Sequence, residues 1–185
     1  MSTIRHSLVA ACISLSIGAA FPALAADSVM VGGAAMYPSK NIVENAVNSN
    51  DHTTLVTAVK AAGLVETLSS AGPFTVFAPT NDAFAALPEG TVDTLVKPEN
   101  KAKLTDILTY HVVPGTHTAE NLMAAVKKAG GSTELNTVQG KPLVVKESGK
   151  TLTITDANGD TASVSIADVM QSNGVIHVID KVMMP

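Results

Sequence analysis

A single α+β domain, with helices gathered in its first half and strands in its second, is what this 185-residue sequence predicts. Three observations carry that reading. Apolar residues recur at helical spacing from Asn41 to Ala129. Short β-branched runs parted by Ser-Gly and Asn-Gly turns fill the stretch after Leu143. The length suits one domain, and no internal repeat or regular strand–helix alternation argues for a parallel wound sheet.

Taken in order, residues 1–25 read as an address rather than as fold. Arg5 and His6 precede an uncharged run from Leu8 to Leu24, and Ala23-Leu24-Ala25 supplies small residues for cleavage between Ala25 and Ala26. The run is short for a membrane span and is broken by Ser14, Ser16, Gly18 and Pro22. Cys12 follows Val9-Ala10-Ala11, a superficial lipoprotein box. Cleavage there would leave an apolar core of only Leu8 to Ala11, so Cys12 reads as filler. Everything beyond Ala25 then lacks cysteine, and packing alone has to hold a domain that export usually exposes to oxidising conditions.

Residues 26–38 are Gly/Ala-rich without a period and read as a leader arm, packed at Met36-Tyr37. The domain proper spans 39–185. Ile42, Val43, Ala46 and Val47 share a helical face, and Asp51 is the expected cap of a second helix carrying Leu55, Val56, Val59 and Ala62. Gly63 interrupts it, with Leu64, Val65 and Leu68 on a further turn. Phe74-Thr75-Val76-Phe77 is a strand apolar enough to be covered on both faces. Pro79 ends it, Thr80 caps a helix to Leu87, and Asp82 complements that helix's dipole. A turn at Pro88-Glu89-Gly90 leads to a helix at Thr91–Val96, and Pro98 opens another ending at Leu108. Tyr110-His111-Val112-Val113 is expected as a strand. A helix at Ala119–Ala129 stops on Gly130-Gly131. Leu143–Val145, Leu152–Ile154, Ala162–Ile166 and Val175–Asp180 are the strands, with turns at Ser148-Gly149, Asn158-Gly159 and Asn173-Gly174.

Charge narrows the partners. Without Arg5, eleven basic residues face sixteen acidic ones, a net of −5, and no basic run exceeds Lys127-Lys128. Nucleic acid and anionic surfaces are repelled on average. With no Trp, two Tyr and four Phe, stacking platforms are scarce.

Three segments resemble the fasciclin (FAS1) family. Gly72-Pro73-Phe74-Thr75-Val76-Phe77-Ala78-Pro79-Thr80-Asn81-Asp82-Ala83-Phe84 is similar to its first box. Leu108-Thr109-Tyr110-His111-Val112-Val113-Pro114-Gly115 is similar to its central Tyr-His segment, and Asn173 to Pro185 to its closing box. The resemblance implies a FAS1-like fold, with the helices packed on a twisted sheet wedge. It also implies a secreted, periplasmic or extracellular adhesion or interaction module that binds protein or glycan. By resemblance, the contact residues are Thr109, Tyr110, His111, Val112, Pro114 and His177, while Thr80, Asn81, Asp82, Phe84, Asn173 and Gly174 are structural. A second implied role is a carrier of a small apolar ligand such as a carotenoid, in a groove between first and closing boxes. Seven methionines, Met183 and Met184 among them, suit such a surface.

The residues themselves favour structure over chemistry. His111 and His177 read as buried histidines with satisfied rings. His52 is expected exposed in a first helical turn, and His117 in a loop. No histidine pair has metal spacing. Asp156-Ala157-Asn158-Gly159-Asp160 lacks the glycine and carboxylate positions of a calcium loop. There is no nucleophile elbow, phosphate loop or dinucleotide fingerprint, so neither enzyme activity nor a cofactor is expected.

Overall fold

The computed structural model describes residues 28–149 and 151–185. The leader, its cleavage point and Cys12 lie outside them. The chain runs through β1 (Val29–Val31), β2 (Ala34–Met36), α1 (Ile42–Ala46), α2 (Thr53–Ala62), α3 (Val65–Ser69), β3 (Phe74–Pro79), α4 (Asn81–Ala85), α5 (Thr91–Leu95) and α6 (Lys101–Tyr110). It continues through β4 (Val112–Pro114), α7 (Ala119–Lys128), β5 (Ser132–Asn136), β6 (Pro142–Ser148), β7 (Thr151–Thr155), β8 (Thr161–Gln171) and β9 (Gly174–Ile179). Single 3-10 turns at Asn50–His52 and Pro98–Asn100 precede α2 and α6.

Seven strands form one mixed sheet in the order β4-β3-β9-β8-β7-β6-β5. All its pairs are antiparallel except β3–β9, where Phe74 meets Gly174 and Pro79 meets Ile179. The sheet curls: beyond β5, the Val138 N–H donates to the Val112 carbonyl at 2.8 Å, bringing opposite edges together. β8 bends at register shifts between Val164 and Val169, as bulges do.

Strand alternation sorts the apolar side chains into two cores. Val76 and Ala78 of β3 and Ile176 and Val178 of β9 join α1, α2, α3, α4 and α6 residues in one. Phe77 and Ile179 point the other way, into a second core shared with α7 and β6–β8. α7 is fixed by Thr118, whose Oγ1 accepts from the Asn121 N–H, and by Leu122 and Val126, each 1% exposed. Gly63 closes α2 with φ +74°, the left-handed cap expected of glycine.

Residues 29–36 of the leader arm, which shows no period, form a hairpin, and Val31 and Met36 are each 2% exposed in the helical core. Three expectations need correcting. Asp51 does not cap α2, because it lies inside the 3-10 turn. Tyr110 ends α6 and His111 is its C-cap, so the strand begins only at Val112. β5 was not anticipated: Leu135 is its one buried residue, and an edge strand needs little apolar pattern.

Candidate functional site

The fold gathers the three boxes around β3. The central box supplies β4 on one side and the closing box supplies β9 on the other. At one end of this trio the Asn173-Gly174 turn meets Gly72-Pro73. The Asn173 Oδ1 accepts from the Ile42 N–H (3.0 Å), and its Nδ2 donates to the carbonyls of Leu68 (2.8 Å) and Ser70 (3.0 Å). One side chain thus ties α1, α3 and β9 together. Gly174 lies so close to β3 that a Cβ would stand 1.9 Å from the Phe74 carbonyl oxygen.

At the other end, the Thr80 Oγ1 accepts from the Ala83 N–H to cap α4. Asn81 Oδ1 accepts from the Thr54 N–H (3.0 Å), and its Nδ2 donates to the Asn50 carbonyl (2.7 Å). Asp82 is exposed in the first turn and Phe84 is buried.

The central segment is equally occupied. Tyr110 is fully buried; its hydroxyl donates to the Pro142 carbonyl and accepts from the Ala157 N–H, each at 3.0 Å. Burial pushes its phenol above the ordinary range, the Ala157 contact opposing. His111, 3% exposed, donates from Nδ1 to the Ile107 carbonyl (2.8 Å) and accepts at Nε2 from the Met183 N–H (3.0 Å). Those partners specify the neutral ring. Burial lowers its pKa to about 4, against smaller opposing pulls from the Ile107 carbonyl and Asp156.

His177, fully buried, stacks on Phe77 with ring centroids 5.6 Å apart. Its Nε2 donates to the His117 carbonyl (2.7 Å), and its Nδ1 accepts from the Asp168 N–H (3.3 Å). Its pKa too is lowered, first by burial. Asp168 is a residue the sequence did not single out. It sits at φ +56° in the β8 bulge, and its Oδ1 accepts from the Ala119 N–H at the start of α7 (2.7 Å).

The contact residues expected by resemblance differ in how far solvent reaches them. Tyr110, His111, Val112 and His177 are buried, Thr109 is half-buried and spends its hydroxyl on the Thr105 carbonyl, and only Pro114 is exposed. His117 does lie in a loop, donating from Nε2 to the Pro114 carbonyl (3.2 Å). His52 is 2% exposed rather than solvated. The β1–β2 hairpin covers its turn, with the Asn50 N–H donating to the Gly32 carbonyl. Ser49 Oγ contacts His52 Nδ1 at 2.9 Å, while His52 Nε2 has no hydrogen-bond partner. Burial lowers this histidine's pKa, and the Ala78 carbonyl pulls the other way without reaching hydrogen-bond geometry.

Two kinds of hollow adjoin the boxes. An apolar cavity of about 40 Å³ lies between α1–α3 and β3, bordered by Met36, Leu55, Val76, Leu108, His111 and His52. That is room for a water or little more. A shallow cleft of about 310 Å³ opens where the first and closing boxes meet, lined by Gly72, Pro73, Thr116, Met170, Asn173 and neighbours. Met183 lines neither, being fully buried in the second core. Among the described residues no three His, Cys, Asp or Glu side chains are grouped to hold a metal, and no helix is long and apolar enough to cross a membrane.

A mixed sheet whose first and last long strands pair in parallel is locked here by box residues turned inward. The fasciclin-domain profile matches residues 50–185, and the chain belongs to that family. It is 51% identical over 159 residues to Protein sll1483 of Synechocystis sp., covering 85% of this chain and 81% of that one. It is 34% identical over 192 residues to the immunogenic protein MPT70 of Mycobacterium tuberculosis, covering 93% and 90%. It is also 35% identical to the transforming growth factor-beta-induced protein ig-h3 of Sus scrofa, over 80% of this chain but 20% of that protein. Among solved structures, a FAS1 domain pair from the insect cell adhesion molecule fasciclin I superposes with a TM-score of 0.71 at 20% identity, over 79% of this chain. The chain spans about half (51%) of that pair, and the likeness concerns the fold.

Proposed function

We propose that the chain is a secreted, non-enzymatic interaction module that binds an extracellular protein or glycan through the end of the sheet where the first and closing boxes meet. The observation that carries this is how the polar groups of the boxes are used. Asn81, Tyr110, His111, Asn173 and His177 are all engaged by main-chain partners, so none of these five is free to serve as a general base or nucleophile. What remains accessible there is the shallow cleft with Met170 (40% exposed) at its rim, beside exposed Pro114 and Thr116. Family membership agrees, as does the fold shared with an insect cell adhesion molecule. A photo-crosslinking residue at position 170 tests the reading in cells that make the protein. A discrete adduct with a protein or glycan outside the cytoplasm is expected from 170 and not from Glu134, exposed on edge strand β5. Equal labelling from both positions, or none, sinks it.

A second reading, a carrier of a small apolar ligand such as a carotenoid, is favoured by one observation: the apolar cavity with His52 Nε2 unsatisfied at its wall. At about 40 Å³ the cavity admits no such molecule unless α1–α3 part from the sheet. Native mass spectrometry with an absorption spectrum, on protein recovered from producing cells, decides it. An added mass of a few hundred daltons supports the carrier, and a bare chain removes it.

A further inference from the structure

The segment after β9, residues 180–185, has no regular secondary structure, yet Val182 and Met183 are 8% and 0% exposed. It is held by few polar contacts. Asp180 exchanges two bonds with Ser163, its Oδ1 accepting at 2.7 Å and its N–H donating at 3.2 Å. The Met184 N–H donates to Asp156 Oδ2 (3.0 Å), and Asn158 Nδ2 donates to the Met184 carbonyl (3.2 Å). The inmost contact is the Met183 N–H on His111 Nε2. That bond needs an unprotonated Nε2, because the other nitrogen is already committed to the Ile107 carbonyl as a donor.

We propose that residues 180–185 form an acid-released clasp, held shut by the neutral His111 ring through the Met183 amide, and that release uncovers the apolar seat of Met183. A second proton on His111 would set two N–H donors against each other in a buried space. The adjoining cleft, lined by Leu95, Ile107, Gln139, Met184 and Pro185 among others, shows where the seat would open. Met184 borders that cleft while Met183, its neighbour, belongs to the buried core.

The groups around the ring set the balance. Asp156, from the β7–β8 turn, favours a proton on His111 and also holds the Met184 amide, so it partly opposes opening. Across the apolar cavity stand His52, itself held towards neutral, and Lys60 of α2. Lys103, Asp106 and Lys141 line the cleft beyond Met184. Burial outweighs them, and the ring's affinity for a proton rises when the clasp leaves. With His111 near 4 when clasped and at the ordinary 6.5 when released, the opening equilibrium grows about 30-fold between pH 8 and 5, and about 150-fold by pH 4.

Amide hydrogen exchange by NMR, on 15N-labelled full-length protein with the intrinsic pH dependence divided out, tests this. Met183 and Met184 protection is expected to fall about 30-fold from pH 8 to 5, and to stay at every pH below that of the β6 and β7 amides, which open only with the whole domain. The His111 ring 15N shifts should report protonation over the same range. His111→Gln, which keeps an acceptor and cannot titrate, should flatten the profile. A ring that stays neutral until the whole protein unfolds overturns the proposal. So does protection at Met183 equal to that of β6 and β7, since that is general unfolding. If His111→Gln does not fold, the wild-type shift and exchange profiles decide alone.

Discussion

Removing one oxygen atom measures how far the central box serves as a fastener. Tyr110→Phe keeps the buried ring and deletes only the hydroxyl that joins the end of α6 to β6, at Pro142, and to the β7–β8 turn, at Ala157. An unsatisfied buried group costs about 1–3 kcal/mol. Here two backbone groups lose a partner, but Pro142 and Ala157 lie on exposed residues, where water can replace part of the bond. The expected loss is therefore about 1–2 kcal/mol, with no cavity contribution because the ring still fills its site. Urea unfolding followed by far-UV circular dichroism suits a protein without tryptophan. The midpoint should fall with an unchanged slope, the signature of lost stability rather than altered compactness. Tyr37→Phe, at a side chain 44% exposed, is the control and should not move the midpoint. A Tyr110→Phe midpoint matching the control refutes the fastening role and returns the phenol to the list of partner contacts.

Three more outcomes are expected. His111→Ala should cost more than Tyr110→Phe, about 2–4 kcal/mol, because it strands the buried Met183 N–H and enlarges the adjoining cavity; a variant as stable as wild type in the same urea assay would contradict this. Gly174→Ala should lose about 3 kcal/mol or more, since its Cβ would overlap the Phe74 carbonyl and only backbone could yield; thermal melting beside wild type would show that β3 and β9 part at little cost. Stability should fall with acid. His52, His111 and His177 all bind protons less readily folded than unfolded, so their contribution is complete above about pH 6.5 and is lost as pH falls below it. His111 alone accounts for about 3 kcal/mol by pH 4. Urea midpoints equal at pH 7.5 and 5 would contradict that sign.

What the sequence disclosed was mostly local. Thr80 announces its cap by position, Gly63 and the Asn158-Gly159 turn mark their stops, and the apolar run of β3 marks a strand covered on both faces before any partner is known. The resemblance named the boxes, but not what each residue in them does. His52 was misread because its burial depends on the β1–β2 hairpin folding across the 3-10 turn, and a polar turn residue carries no sign of such a cover. The hairpin was itself hidden in a Gly/Ala-rich stretch of two three-residue strands. Tyr110 and His111 read as strand because nothing local, no glycine or proline, marks the helix end between them and Val112. Asp168 had no signal at all: its roles at α7 and His177 arise from a bulge that only the paired sheet defines.

The parallel pairing of β3 with β9 also governs when this domain can form. Phe74 waits for Gly174, and the core strand of the first half has no neighbour on that side until nearly the whole chain is present. Such distant pairing must close a long loop before any contact rewards it, which slows the search towards the millisecond-to-second range of sheet-rich domains. A nascent chain of this sequence stays incomplete until its last strand emerges, and a truncation ahead of Asn173 leaves the helical core without half of its floor.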